Sequence, residues 1–386
     1  MRGVSERERS LPKDILPELL RILYESKGII SLGAGEPDFT TPKPILRYAS
    51  NILPKATHYA PTQGLKELRE SITKKLKKEN NFLTLPENII VTTGSQQAIF
   101  SALLTTTDAN SQVLIPNPGY MDYFPAVKMS DAKPISYVLK EQNNFLPDPD
   151  EIKKLANRKT KVLIINTPSN PHGQVYSKKL LEELADIAIE KNLYIFSDEA
   201  YEKIVYDDNK HISMASLNGM KNYVLTFQTF SKTYAMCGFR VGYVIVPKKL
   251  TEAMIESSNF LTVSAPHISQ LMAIKALSLP KFYVNRMVKS YDKRRKYLVK
   301  RLNSLNLTTQ MPKGAFYAFS NIRNVTKKSS SEFSKDLLKK AKVATLPGIE
   351  FGKHGESYVR FSYATKLFLI KKALDRIEKH LKWKSI

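Results

Sequence analysis

Residues 224–247, "VLTFQTFSKTYAMCGFRVGYVIVP", read as two buried strands with two cations set between them. The apolar, Thr-containing run up to Phe230 fits a strand covered on both faces, and a second apolar run follows Gly238 and Arg240. Lys232 falls in a Ser-Lys-Thr turn between the two. A lysine placed there has to be exposed, paired or deprotonated, because an unpaired ammonium in an apolar interior is expensive. Lys232 and Arg240 are therefore expected to serve a site rather than a core.

The flanking sequence repeats the pattern. The helix "LKELRESITKKLKKEN" (65–80) is followed by a strand in "NIIVTTG" (88–94), a helix from Ser95, and strands in "QVLIPNP", "KPISYVL", "KVLIINTP" and "LYIFSDEAY". Near-continuous apolar strands alternating with helices predict an α/β sheet covered on both faces. From about residue 280 the order changes to a long basic helix, "GAFYAFSNI", a helix entered from the polar run "TKKSSSEFSK", "VATLPGIEFG", "YVRFSYAT" and a terminal helix, which reads as a smaller α+β unit. Residues 15–26 read as a short amphipathic helix and "SLGAGEPDFTTP" (31–42) as a loop punctuated by Gly and Pro. The expected division is a large domain over 46–278 and a small domain made of 1–45 with 279–386.

Composition narrows the function classes. A chain of 386 residues with 42% hydrophobic content can bury a large core. The single cysteine, Cys237, excludes an intrachain disulfide framework, and the six histidines lack metal-ligand spacing. These features, with no apolar run long enough for a signal peptide or a membrane span, fit a protein of the reducing cytoplasm with no metal and no membrane partner. The formal charge of +24 would suit a polyanion if it were clustered. It is spread, and its densest run, "KSYDKRRKYLVKR" (289–301), has apolar residues at helical spacing and reads as a solvated helix face. No nucleic-acid partner is expected.

In an open α/β sheet, ligands bind outside the carboxyl ends of the strands. Those ends carry Gly94-Ser95-Gln96 after "IIVTT", Tyr120 after "VLIPNPG", Asn170 after "VLIINTPS", Asp198 and Tyr201 after "LYIFS", and Lys232 after "VLTFQTFS". A Gly-Ser-Gln turn opening a helix offers N–H groups and a positive dipole end to a phosphate, and Arg240 can add a charged fork. Asp198 can hold a proton on a ring nitrogen, and Tyr201 and Asn170 can bond a phenolic oxygen. Lys232 can condense with an aldehyde. Singly, Asp198 also reads as a turn residue, Asn170 as a pre-proline loop residue, Tyr120 as packing, and Arg360, between Val359 and Phe361, as a surface arginine. Together the strand-end residues describe a pyridoxal 5'-phosphate site.

The motifs "GEPDF", "YAPTQGLKELR", "NTPSNPHG", "SDEAY", "SKTYAMCGFRVGY" and "VRFSYA", in that order over essentially the whole chain, resemble the class I/II aminotransferases, fold-type I pyridoxal-phosphate enzymes. The resemblance implies a large domain with a mixed, mostly parallel seven-stranded sheet between helices, plus a smaller α+β domain. It makes Lys232 the aldehyde-binding lysine and proton shuttle, Asp198 the ring-nitrogen partner, and Tyr201 and Asn170 the ligands of the ring hydroxyl. Tyr120 would stack on the ring, while Gly94, Ser95, Gln96, Ser231 and Arg240 match phosphate-binding positions. Tyr59 matches a tyrosine that reaches the neighbouring subunit's phosphate, which implies a homodimer with composite sites. Arg360 matches the clamp for the substrate α-carboxylate, and Gly35 the backbone that approaches it.

The expected reaction is a two-stage transfer of an amino group from an L-amino acid to 2-oxoglutarate. In aspartate-directed members that this chain resembles, a lysine in the phosphate turn pairs with the distal carboxylate of the substrate, and Gln96 stands at that position here. A neutral amide is a poorer dicarboxylate clamp, so donors are expected to lean aromatic or long aliphatic. The alternatives are an aspartate aminotransferase, a C–S β-lyase using nearly the same cofactor residues, and a cofactor-binding regulator. No G-x-G-x-x-G follows a strand and no phosphate-loop motif is present, which counts against a nucleotide enzyme.

Overall fold

A computed structural model describes residues 3–12, 15, 21–22, 25 and 28–382. The helix expected over 15–26 falls largely outside the described residues. After a short first strand, β1 (Ile30–Ser31), seven strands build the main sheet. They are β2 (Ile89–Thr92), β3 (Gln112–Asn117), β4 (Lys133–Val138), β5 (Thr160–Asn166), β6 (Tyr194–Asp198), β7 (Val224–Thr229) and β8 (Gly242–Ile245), in the order β2-β8-β7-β6-β5-β3-β4. Only β8 runs against its neighbours; the remaining pairs are parallel.

Period-two alternation splits the sheet's side chains between two apolar layers. In β5, Leu163 and Ile165 join Leu114, Ile195 and helix residues Leu68, Ile72 and Leu76, whereas Val162 and Ile164 join Val113, Ile115, Phe196, Ala98 and Leu103. Both faces are thus covered, which explains why these strands read as continuous apolar runs rather than alternating ones. It also aims the parallel strands' carboxyl ends at one edge.

The remaining strands are β9 (Thr308–Thr309), β10 (Tyr317–Asn321), β11 (Val343–Ala344), β12 (Leu346–Pro347) and β13 (Tyr358–Ser362). β12-β13-β10-β9 form an antiparallel sheet, and β1 pairs in parallel with β11, Ile30 opposite Val343 and Ser31 opposite Ala344. A third apolar cluster, including Leu32, Tyr291, Leu298, Phe316, Phe361 and Leu374, fills the space between this sheet and its helices. The polar run at 326–335 opens the helix Ser330–Asp336 through a capping box between Ser329 and Glu332.

Two local readings of the sequence change. Lys232 lies in a single helical turn, Phe230–Thr233, because the Thr229 side chain accepts from the Ser231 N–H and caps it. The basic run in the helix Phe282–Ser304 is not wholly solvated: Arg294 is 6% exposed and Arg295 fully buried. Arg295 donates to both Asp207 and Asp292 and to the Pro312 carbonyl at 2.6 Å, with its guanidinium 4.4 Å above the Tyr206 ring. Asp292, three residues back on the same helix, and Asp207, 88 positions away, make that burial tolerable, and helical spacing alone cannot reveal the second.

Candidate active site

Asp198 closes β6 and is 5% exposed. Burial raises its carboxyl to about 6, against the pull of hydrogen bonds from Tyr123 Oη (2.6 Å) and the Ala200 N–H (3.1 Å). The Tyr201 hydroxyl lies 2.8 Å from that of Tyr317; burial, reinforced by Tyr317, pushes the Tyr201 phenol well up. Tyr120 meets Tyr123 edge-on at 5.4 Å and donates to Asp122 at 2.6 Å.

On β13, Arg360 is 3% exposed, a buried cation in an otherwise apolar strand. Its Nη1 donates to Asn170 Oδ1 at 3.0 Å and its Nη2 to the Gly33 carbonyl at 2.7 Å. The guanidinium lies 4.1 Å over Tyr317 and 5.0 Å over Phe351. Burial lowers its pKa, and its Nε is buried without a partner. An orphaned N–H of this kind costs about 1–3 kcal/mol, and a carboxylate on that edge of the fork would satisfy it. Lys232 Nζ donates to the Gly35 carbonyl at 2.7 Å, so both cations lean on one loop. Gly35 itself admits a close approach, since a Cβ there would sit 3.3 Å from Tyr317 Oη.

A third group forms at the end of β2. Gly94, at φ 100°, precedes the helix Ser95–Thr106, whose first turn has no side-chain cap. At that φ an L side chain is strained, and a Cβ would also lie 2.7 Å from Arg240 Nη2 and push the guanidinium aside. Arg240 is exposed and held by the carbonyls of Thr93 (3.1 Å) and Cys237 (3.0 Å). Ser95 is half-buried, Gln96 exposed and Ser231 buried, its Oγ accepting from Thr229 at 3.0 Å. The uncapped amides beside a guanidinium can bind an anion. Tyr59 stands apart: it is 84% exposed.

The description "Aminotransferase class I and II" matches residues 27–377. The chain belongs to this family. It is 45% identical over 378 residues to the aspartate aminotransferase of Pyrococcus abyssi, covering 96% of this chain and 97% of that one. It is 43% identical over 388 residues to aromatic-amino-acid aminotransferase 2 of Thermococcus litoralis, covering 100% of both. The crystal structure of an aromatic aminotransferase from Pyrococcus horikoshii superposes with a TM-score of 0.90 at 44% identity, over 95% of this chain and 99% of that one. The protein is an amino-acid aminotransferase with the fold-type I architecture.

Two residues that contact the candidate site, Tyr123 and Tyr317, escaped the sequence. Tyr123 reads as helix packing, and only its place one turn after Tyr120 hints at a shared direction. Tyr317 sits in the aromatic run "AFYAF", where nothing marks which ring faces the site. Behind Asp198, ligand atoms of Glu199, Glu202 and His211 lie within 4.8 Å of one another. Lys75 is bonded to Glu202 and to Gln228 (2.6 Å), and Gln228 donates to both glutamates. An ammonium already supplies the positive charge in this cluster. No helix among the described residues is long and apolar enough to cross a membrane.

Proposed function

We propose that the aminotransferase uses pyridoxal 5'-phosphate to move an amino group from L-amino acids, leaning toward aromatic or long aliphatic donors, to 2-oxoglutarate. The observation that carries the reading is Arg360, buried beside Asn170 with an unpartnered Nε, close to the loop whose Gly35 carbonyl holds Lys232. The residues fit the cofactor's chemistry. The uncapped amides at Ser95 and Gln96, with Gly94, Ser231 and Arg240, would hold its phosphate; Asp198 its ring nitrogen; Asn170 and Tyr201 its hydroxyl; Tyr120 its ring face. When bound, the cofactor supplies an aldehyde carbon for amino-group exchange and a ring that accepts the electrons released at Cα.

The chain's own groups do the rest. Arg360 binds the α-carboxylate through two parallel hydrogen bonds and so fixes the direction of the Cα–H bond. Lys232, released from the Gly35 carbonyl, would take the proton from Cα and deliver it to the cofactor's aldehyde-derived carbon in the first stage, and carry it the opposite way in the second. Asp198 stays anionic near neutral pH and holds a proton on the ring nitrogen. Tyr59, exposed here, reaches the phosphate of a second copy, so the working unit is a homodimer, placed in the cytoplasm. We also propose the division into a large domain, 46–278, and a small one, 1–45 with 279–386.

The lean in donors rests on Gln96; a cavity of about 1060 Å³ adjoins the candidate site at Tyr120, but Lys232, Asp198, Asn170 and Arg360 are not in its wall. Its wall includes Tyr120, Phe124, Ile349, Phe351 and Leu11, with charges of both signs, Glu8 and Arg9 among them. An aspartate donor is the second reading, favoured by the relative in Pyrococcus abyssi.

The test starts with the protein reconstituted with pyridoxal 5'-phosphate and reduced with borohydride, which should fix the label on Lys232. A panel of amino donors with 2-oxoglutarate follows. A label on another lysine, or no transfer from any donor, would overturn the proposal.

A further inference from the structure

The loop from Gly33 to Thr41 presents its carbonyls to both cations of the site: Gly33 to Arg360 Nη2 and Gly35 to Lys232 Nζ, each at 2.7 Å. It lies outside any strand, so its position depends on anchors. At one end Leu32 is fixed by backbone bonds with Ala344 (2.8 Å) and Ser362 (2.6 Å), and at the other Thr41 Oγ1 donates to the Ala235 carbonyl at 2.5 Å. Between these ends, Asp38 makes the only ion pair of residues 33–40 among the described residues. Arg294 Nη1 donates to Asp38 Oδ1 at 2.7 Å, with side chains 8% and 18% exposed. The same nitrogen lies 3.4 Å from the Tyr363 carbonyl. The guanidinium sits 5.0 Å over Phe39 and 5.6 Å over Tyr291, and those two rings meet edge-on at 5.4 Å.

We infer that Arg294 is a positioning residue for the substrate carboxylate, acting through Asp38 on the loop whose Gly33 carbonyl orients Arg360. It touches neither substrate nor cofactor. One nitrogen, Nη1, shared between Asp38 and the backbone just beyond β13 ties the loop to the segment that carries Arg360, so the Gly33 carbonyl and the Arg360 guanidinium keep one spacing. Displacing the Gly33 carbonyl would turn the Arg360 guanidinium away from the geometry of two parallel bonds to a carboxylate and so weaken binding. Breaking a largely buried pair by neutralising one partner also leaves the other uncompensated, which pushes the loop toward water. The inference rests on the proposed carboxylate role of Arg360.

The test uses full-length, reconstituted protein and the variants Asp38→Asn, Arg294→Met and Arg294→Lys. In Asp38→Asn and Arg294→Met, KM for the amino donor and for the oxo acid should rise about tenfold or more while kcat stays within about threefold, the signature of lost binding rather than lost chemistry. Arg294→Lys, which keeps the charge, should fall between these and the unaltered protein. Bound cofactor and its absorption spectrum should not change. Amide hydrogen exchange should quicken at 33–39 and not at 343–347. An unchanged KM with unchanged exchange at 33–39, or a fall in cofactor content parallel to the loss of activity, would overturn the inference. Should Arg294→Met fail to fold, the near-isosteric Asp38→Asn decides alone. If the unaltered protein transfers no amino group, the functional reading fails, and exchange at 33–39 still decides whether Arg294 holds the loop.

Discussion

Tyr123 Oη donates a 2.6 Å hydrogen bond to Asp198 Oδ2, one helical turn past the ring of Tyr120. It opposes the burial that lifts the Asp198 carboxyl from its ordinary 3.8 to about 6. In the cofactor-free protein the folded state therefore keeps a proton that the unfolded chain has lost between about pH 4 and 6. Stability falls as pH rises through that window, and the gap of about two pH units corresponds to about 3 kcal/mol. Buried His172, held down to about 3, contributes with the opposite sign: its share is complete above the usual 6.5 and is lost as pH falls. Urea unfolding of Asp198→Asn should lose the first dependence and keep the second. In Tyr123→Phe the fall should extend to higher pH. Superimposable profiles for Asp198→Asn and the unaltered protein would contradict this account.

Tyr59 is 84% exposed in the single chain, an unusual place for a tyrosine in a motif. If it completes the partner's phosphate site, Tyr59→Phe should weaken cofactor retention. Heterodimers that pair a Lys232→Ala subunit with a Tyr59→Phe subunit should then hold one doubly impaired site and one intact site. About half the activity of the unaltered dimer is expected. A heterodimer with no intact site, one site lacking Lys232 and the other weakened only in cofactor retention, would place Tyr59 in its own subunit's site.

Gln96 lies exposed in the first turn of the helix Ser95–Thr106. Gln96→Lys should raise the kcat/KM ratio of aspartate over phenylalanine by about tenfold or more, since a charge pair discriminates more strongly than apolar contact. The ratio should be measured with 2-oxoglutarate fixed. An unaltered protein already favouring aspartate a hundredfold would reverse the expected donor lean and leave the transferase intact.

Lys75 and Glu202 form a buried pair, 9% and 7% exposed, directly behind the segment that carries Asp198 and Tyr201. Burial acts to raise the Glu202 carboxyl, yet Lys75 and Lys203 win and hold it down at about 2. Lys75→Met strands that carboxylate and should cost about 3–5 kcal/mol in chemical unfolding. Adding Glu202→Gln should return part of the loss. A single variant within about 0.5 kcal/mol of the unaltered protein would show that water reaches the pair.

The sequence made the main sheet legible because apolar strands and helices alternate with period changes that survive any tertiary context, as in β5 and the helix after Gly94. The strand-end residues of the candidate site were legible as a group for a related reason: topology fixes the edge to which those ends point. What stayed hidden depends on contacts between distant segments. Arg294 meets an aspartate 256 positions away, and Tyr317 is one of several aromatic residues whose facing is set only by the pairing of β10 with β13. Lys232 in a helical turn rather than an open one turned on a single Thr229 cap.

The parallel pairing of β1 with β11 has a consequence for synthesis on the ribosome. All seven strands of the main sheet lie between residues 89 and 245 and can associate as soon as they emerge. Ile30 and Leu32 cannot, because their partners Val343 and Ala344 are made only after the whole main sheet. At about 5–20 residues per second, the roughly 100 residues between Ile245 and Val343 amount to about 5–20 s during which Ile30 and Leu32 lie unpaired beside a formed sheet. Nascent chains stopped before residue 343 should therefore expose Ile30 and Leu32 to a holding chaperone, and chains released past it should not.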